Sequence, residues 1–344
     1  MSDKPGAPPA RVTMKDIAAH AGVSQSTVSF VLNGQQSMRI SSETRKRVMD
    51  AVAELGYRPR AAGRPPKGAG VRVIGLMFDE IATSPFAAIS IEGVQEEAWK
   101  HDVLVEVVMT GGDTAYENAI LRKWSADRVE GVVYGAILTR PVDPPDALGK
   151  HRAVLLNCHD AEGRLPSVVP AERRGGEAAA RMLIEAGHRK IAFISGESWM
   201  EAADQRLEGY ERALRAAGLP VDPGLIQAGN FLPSGGRAAT LRLLDGPTRP
   251  DAIFCANDLM AVGCYEALKE RGERVGETMA VMGYDDQEIA QHLSPALSTV
   301  LLPHREMGHW CTQVLLAGEG KAAGHHRMEC PVVVRDSHFC RTGV

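Results

Sequence analysis

Residues 12–33 read Val-Thr-Met-Lys-Asp-Ile-Ala-Ala-His-Ala-Gly-Val-Ser-Gln-Ser-Thr-Val-Ser-Phe-Val-Leu-Asn. Ile17, Ala18 and Ala21 share one face of a helix over 14–21. Gly22-Val23 turns the chain, and Ser24 stands where a side-chain oxygen can cap a second helix running to Leu32. Val28, Val31 and Leu32 complete that helix's apolar stripe, and Asn33-Gly34 ends it. Further on, Ser41 caps a third helix carrying Val48, Val52 and Leu55, with Gly56 just past its end and Pro59 barring continuation. Two short helices about a glycine turn fit a helix-turn-helix. In that motif the second helix lies in the DNA major groove and offers its first side chains to base edges. Here those are Gln25, Ser26, Ser29 and Phe30, with Thr27 alongside. Gln can pair with an adenine edge through two hydrogen bonds, and Ser or Thr can serve several bases. Phe30 either touches a thymine methyl or packs on the third helix. Asn33, Ser41, Thr44, Arg45, Arg47 and Tyr57 are candidate phosphate contacts, which position a protein without reading sequence. A three-helix domain that binds protein is the other reading of this pattern.

The charge supports the first reading. The chain of 344 residues has a net charge of −4, yet residues 1–68 hold eleven Lys and Arg against five Asp and Glu. The remainder holds 28 basic and 38 acidic residues. A basic head on an acidic body points to a head that alone meets a polyanion, a solvated basic tail being the other reading. No run of about 18 apolar residues is present, which excludes a membrane-spanning helix. The first residues are polar and Pro-rich with no apolar signal core, and six cysteines at 158, 255, 264, 311, 330 and 340 form no C-x-x-C pair. These features lead to the expectation of a reduced, cytoplasmic protein.

Residues 58–70 (Arg-Pro-Arg-Ala-Ala-Gly-Arg-Pro-Pro-Lys-Gly-Ala-Gly) read as a linker. From residue 71 apolar strand runs at 71–78, 103–109, 131–134, 153–157, 191–195, 252–255 and 279–284 alternate with amphipathic helices at 86–101, 174–186, 204–217, 235–244, 259–271 and 305–316. This alternation implies parallel sheets covered by helices, and the number of strands implies two such units. No G-x-G-x-x-G, phosphate loop, G-x-S-x-G or H-E-x-x-H occurs, so the common enzyme signatures are absent. His304-Arg-Glu-Met-Gly-His309 has the wrong spacing for a zinc helix and reads as a surface helix. His325-His326 reads as a loop pair before the last strand, and neither metal nor cofactor is expected.

The 12–33 stretch, with Ile40-Ser-Ser-Glu-Thr-Arg45 and Leu55-Gly-Tyr-Arg-Pro59, closely resembles the DNA-binding head of the lactose/galactose repressor family. Glu185-Ala-Gly-His-Arg-Lys-Ile-Ala-Phe-Ile194, Arg206-Leu-Glu-Gly-Tyr210, Ala256-Asn-Asp258, Met282-Gly-Tyr-Asp-Asp286 and Leu297-Ser-Thr-Val300 are similar to motifs of that family's core, in family order. The resemblance covers about residues 12–337. It implies an N-terminal three-helix helix-turn-helix domain and an α/β core of two periplasmic-binding-protein-like subdomains with parallel sheets. It further implies a homodimer on a palindromic operator in double-stranded DNA, with a small-molecule effector in the cleft altering DNA affinity. The expected division is a disordered tail at 1–11, the DNA-binding domain at 12–57, a hinge at 58–70 and the core at 71–344. Within the core, an N-subdomain takes about 71–168 and 301–324, and a C-subdomain about 169–300 and 325–337.

Arg206 matches the family arginine that reaches the effector, and its planar fork suits a carboxylate or vicinal hydroxyls. Asn257 and Asp258 follow the strand ending at Cys255, where open α/β sheets bind ligands. Asn257 offers donor and acceptors, whereas Asp258 reads better as a cap for the next helix. Asp285 follows another strand and would accept hydroxyl hydrogen bonds, which points to a polyol over an anion. Asn157 stands where relatives often carry Asp. Phe231, Phe86 and Trp199 are candidate faces for a sugar ring, and Asp79 is a further polar candidate. Leu301-Leu302-Pro303 occupies a crossing where many relatives have Gln, so one polar contact is missing. No leucine heptad follows Val334, so a dimer is expected. In relatives the hinge forms a helix that inserts a leucine into the minor groove. Gly63, Pro65 and Pro66 disfavour that helix here, and no leucine is present. The Gly63-Arg64-Pro65 core instead resembles an AT-hook, with Arg64, Arg60 and Lys67 placed to enter a narrow A·T minor groove, a flexible spacer with incidental charge being the other reading. The effector expectation is a sugar, with a purine or other metabolite as alternative. A periplasmic-type sugar-binding protein is the alternative for the whole chain.

Overall fold

The computed structural model describes residues 14–24, 27–28, 31, 42–55, 71–80, 85–318 and 324–339. Residues 1–66 and 67–344 form separate compact units. In the first, helices Met14–Ala21 and Ser42–Glu54 close with Val28 and Val31 over a core of Ile17, Ala18, Ala21, Val48 and Ala51. Gly22 makes the turn at φ +64°, a conformation a side chain would strain. The Ser24 hydroxyl accepts from the Thr27 amide at 3.1 Å, the cap the sequence implies. Thr44 and Arg45 are half-buried, and Arg47 is exposed. Gln25, Ser26, Ser29, Phe30, Asn33, Ser41, Tyr57, Arg60, Arg64 and Lys67 lie outside the described residues, as do the 1–11 tail and the whole of the 58–70 hinge.

In the second unit the strands are β1 (Arg72–Phe78), β2 (Val103–Met109), β3 (Val132–Gly135), β4 (Pro141–Val142), β5 (Ala153–Leu156), β6 (His159–Asp160), β7 (Ser167–Pro170), β8 (Ile191–Ser195), β9 (Ile226–Ala228), β10 (Ala252–Cys255), β11 (Ala280–Met282), β12 (Thr299–Val300), β13 (His325–Met328) and β14 (Val332–Val333). A six-stranded sheet runs β13-β7-β5-β3-β1-β2 and a four-stranded sheet runs β11-β10-β8-β9. Every pairing in both is parallel. Short pairs β4–β6 and β12–β14 complete the set. In the first sheet Ile74, Leu76, Phe78, Val133, Val154 and Leu156 face one core, shared with helices Pro85–Lys100 and His304–Ala317. Met77, Val132, Tyr134, Ala153 and Leu155 face the other, with Leu121 and Trp124 of helix Thr114–Asp127. Both faces are covered, as a parallel sheet requires. The second sheet's core gathers Phe193, Phe254, Tyr210 and Tyr284. Among the described residues no helix is long and apolar enough to cross a membrane.

The chain passes between the two sheets at 170–172, 301–303 and 329–331. These crossings are laced together: the Ala171 amide donates to the Met328 carbonyl at 2.7 Å, and Leu301 to Pro331 at 2.9 Å. Three sequence expectations are corrected here. Residues 325–328 belong to the first sheet, because β13 pairs with β7, so the last crossing comes after Met328. His325 and His326 are therefore strand residues. The His325 Nδ1 lies 2.7 Å from the Ser167 hydroxyl, and the His326 ring stacks on Trp310 at 5.3 Å. The helix beginning at His304 is also no plain surface helix, since His304, Met307, Cys311 and Leu315 are buried. Its exposed side pairs Arg305 with Glu92 and Glu96, and His309 with Glu96.

Candidate functional site

Parallel strands present their C-terminal ends together, and the loops leaving those ends in the two sheets enclose a cavity of about 290 Å³. That is close to the small end of small-molecule sites, roughly 300–1,000 Å³. From the first sheet come Pro85 and Phe86 after β1, Ile137 to Thr139 after β3, Asn157 after β5, and Pro170 of β7. From the second come Met200 and Arg206 after β8, Phe231 after β9, Asn257 and Leu259 after β10, and Asp285 and Gln287 after β11. The crossings add Glu172 and Leu302, and His304 opens the helix after the second of them.

Arg206 is the hub. It sits on helix Glu201–Ala216, packed against helix Glu172–Glu185. A Cβ at Gly176 would stand 2.5 Å from the Arg206 carbonyl oxygen, and one at Gly209 would overlap the Arg173 carbonyl. The two glycines thus allow the close approach that brings Glu172 to Arg206. The Arg206 Nε and Nη2 donate to the two carboxylate oxygens of Glu172 at 2.8 and 2.9 Å. Its Nη1 donates to the Ala256 carbonyl at 2.6 Å and to Asp285 Oδ1 at 3.2 Å. The guanidinium carbon lies 3.8 Å from the centre of the Tyr284 ring. Burial works against its charge, but Glu172 and Asp285 outweigh burial and hold the group above its ordinary pKa.

The carboxylates differ. Asp285 is raised to about 6, chiefly by burial, against the opposing pull of Arg206. Gln287 Nε2 donates to its Oδ2 at 3.1 Å. Asp258 is raised further, to about 8, by burial and then by the nearby Asp285 charge. It accepts from Thr299 Oγ1 at 2.6 Å and from the Gln287 amide at 2.8 Å. Asp258 thus ties the helix after β10 to the Asp285 loop rather than capping its own helix. The cap is Asn257, whose Oδ1 accepts from the Met260 amide at 2.8 Å while its Nδ2 donates to the Phe231 carbonyl at 3.0 Å. This corrects the expected roles of the two residues.

Asn157 spends both amide hydrogens on the Ala136 and Ile137 carbonyls, at 3.0 and 3.1 Å, and accepts from Thr139 Oγ1 at 2.8 Å. Both its amide hydrogens are thus committed to the cavity wall, and its Oδ1 orients Thr139. His304 is held neutral, pushed down to about 3 by burial and then by Arg206. Its ring stacks on Phe86 at 5.0 Å, and Nδ1 lies 3.3 Å from the Ser90 hydroxyl. Asn157, Phe231 and Asp285 have φ of 56°, 59° and 106°. Such left-handed backbone at non-glycine residues clusters at functional sites. The Phe231 ring occupies the space a side chain at Gly196 would need.

Six of the eight expected residues therefore meet in the cavity: Arg206, Asp285, Asn257, Asn157, Phe231 and Phe86. Two do not. Trp199 is 69% exposed, and its neighbour Met200 lines the wall instead. Asp79 accepts from the Ile137 amide at 3.0 Å and from Arg140 Nη2 at 2.9 Å, so it shapes the loop behind the wall. Leu302 lines the cavity as an apolar residue, as its sequence position suggests. Sequence reading missed Glu172, His304, Thr139, Gln287 and Met200. Only Gln287 carried a local signal, two residues beyond Asp285.

Comparison with known proteins fits this geometry. Residues 13–60 match the family described as Bacterial regulatory proteins, lacI family, and residues 180–338 match a Periplasmic binding protein-like domain. The Ribose operon repressor of Haemophilus influenzae is 36% identical over 88% of this chain and 91% of its own. The HTH-type transcriptional repressor PurR of Vibrio atlanticus is 33% identical over 88% and 91%. Among solved structures, a transcriptional regulator CelR–cellobiose complex aligns with a TM-score of 0.64 at 31% identity, covering 95% of this chain and all of the other. A lac repressor dimer bound to operator and the anti-inducer ONPF aligns at 0.64 and 26% identity, covering 96% and 100%.

Proposed function

The chain belongs to the lacI family of bacterial regulatory proteins and is a DNA-binding transcriptional regulator rather than an enzyme; from that premise we propose that it represses genes of sugar uptake or catabolism in the cytoplasm, under control of a neutral sugar or polyol bound between its two core subdomains. The observation that carries the effector class is the pairing of acceptors with aromatic faces. Asp285 keeps acceptor capacity beside Arg206, Asn257 and Thr139 add hydroxyl partners, and Phe86 and Phe231 flank the apolar wall. Ring hydroxyls donating to a carboxylate and ring C–H faces packing on aromatics are both properties of sugars. The relatives include repressors named for ribose and for purines, and a regulator solved with cellobiose. A purine is the second reading, favoured by the flat Phe86–His304 stack.

The protein would act as a homodimer on a palindromic site, two-fold symmetry in protein and DNA being one geometric condition. Edge strand β2 exposes Leu104 and Met109, and Ile89 and Tyr116 on helices Pro85–Lys100 and Thr114–Asp127 are exposed too, an apolar edge suited to a second copy. Effector binding favours one cleft geometry over another and so changes the placement of the two heads, which is a coupling free energy between sites. In the hinge, Arg64 with Arg60 and Lys67 would enter the minor groove at the operator centre, a reading that rests on the sequence alone. Arg64→Ala is expected to weaken binding most on A·T-centred sites; equal loss on G·C-centred sites contradicts it.

The test of the regulator is selection of genomic fragments by the purified protein at a stated salt concentration. A palindromic consensus beside sugar-transport or catabolic genes is expected. Enrichment of sites beside nucleotide-synthesis genes would favour the purine reading, and no enriched sequence, with or without candidate effectors, would contradict the function.

A further inference from the structure

The hydrogen bonds of Arg206 bear on which ligands the cavity excludes. A guanidinium carries five N–H donors. Two are held by Glu172, one by the Ala256 carbonyl and one by Asp285. At most one, on Nη2, remains for a ligand. The cation that would greet an acidic ligand is therefore already engaged, and in the two-pronged geometry that matches a carboxylate best. Among the described lining residues the charged side chains are Glu172, Arg206 and Asp285, two carboxylates to one cation. The Arg206, Glu172 and Asp285 side chains are each 5% exposed or less. An acid entering here meets a surplus negative charge with little water to screen it.

We propose that Glu172 sets the charge selectivity of this site: by holding Arg206 in a two-pronged pair it withholds the guanidinium from acidic ligands, so that the cavity admits uncharged polyols and rejects sugar acids and sugar phosphates. This rests on the effector reading of the cavity and adds a residue that contributes by position. Glu172 occupies the first turn of the helix that follows the crossing out of β7, with the Ala171 amide bonded to the Met328 carbonyl at the end of β13. Its carboxylate is thus fixed from the backbone, and Arg206 is drawn to it. A pair serving stability alone would leave ligand selectivity unmoved when Glu172 is changed, whereas a charge filter would not.

The test is calorimetric titration of the full-length protein with a panel of neutral pentoses, hexoses and alditols, each beside its own aldonate and its monophosphate ester. The wild-type protein is expected to bind a neutral member at least about tenfold more tightly than the matching acid and phosphate. Glu172→Gln should narrow that ratio about tenfold by freeing Arg206, and Glu172→Asp, which keeps the charge, should preserve it. If the Gln variant does not fold, Glu172→Met fills similar volume without charge and serves in its place. An acid or phosphate bound by the wild type as tightly as its parent overturns the proposal. So does a folded, uncharged variant with an unchanged ratio while the neutral ligand still binds. A panel in which no neutral member binds the wild type overturns the polyol reading itself, and the proposal with it.

Discussion

Asp285 lines the cavity, Asp258 is buried outside its lining, and the two behave in opposite ways. Asp285 is poised near 6, where burial and Arg206 pull against each other. A hydroxyl-rich ligand donates to its ionised form, so binding strengthens as pH rises through that range and weakens as Asp285 protonates. Effector affinity is therefore expected to fall between pH 7 and pH 5, by up to about tenfold per unit below the transition. Calorimetry across pH 5–8 checks this, and Asp285→Asn should bind weakly with a flat profile. Asp258 is held protonated up to about 8, above the usual carboxylate range near 4. The fold favours its neutral form, so that stability is fully present in acid and is lost progressively as pH rises from about 4 through 8. Asp258→Asn keeps an acceptor for the Gln287 amide and cannot ionise. Its melting temperature should gain on the wild type's between pH 5 and 8.5; a constant difference would contradict the assignment.

At the scale of elements, the close approach of helices Glu172–Glu185 and Glu201–Ala216 is what assembles the hub. Gly209→Ala forces these backbones apart and is expected to cost roughly 1–3 kcal/mol, with weaker effector binding as Glu172 and Arg206 separate. Thermal unfolding and calorimetry on the same variant check both; an unchanged melt would show that the helices do not need that contact. The elements also show what sequence can reveal. Strands β1, β8 and β10 are runs buried on both faces, so hydropathy alone finds them. Strand β13 reads His-His-Arg-Met and is an exposed edge, where charge and polarity are usual, so no apolar run betrays it. Arg206, Asn257, Asn157 and Asp285 were legible because they follow strand ends or family-like motifs. Glu172 was not, because its role arises from meeting a residue 34 positions away across two helices. Trp199 shared the right loop but points to solvent, a direction that spacing does not encode.

At the scale of the whole molecule, a basic head precedes an acidic core that carries the proposed effector cavity. Side-chain links outside the cavity also span the two core subdomains: His159 Nε2 lies 3.0 Å from Glu201, and Arg327 reaches Gln205 at 3.5 Å. These contacts join β6 and β13 of the first subdomain to helix Glu201–Ala216 of the second. The most direct measurement of the central claim is the operator dissociation constant of the full-length protein, at fixed salt, with and without each neutral sugar or polyol and each purine of a panel. The account predicts that at least one neutral polyol changes operator affinity by roughly 5- to 150-fold, the usual span of allosteric coupling, and that this response is lost in Asp285→Asn. Operator affinity indifferent to every neutral polyol, or altered only by a purine, would contradict it.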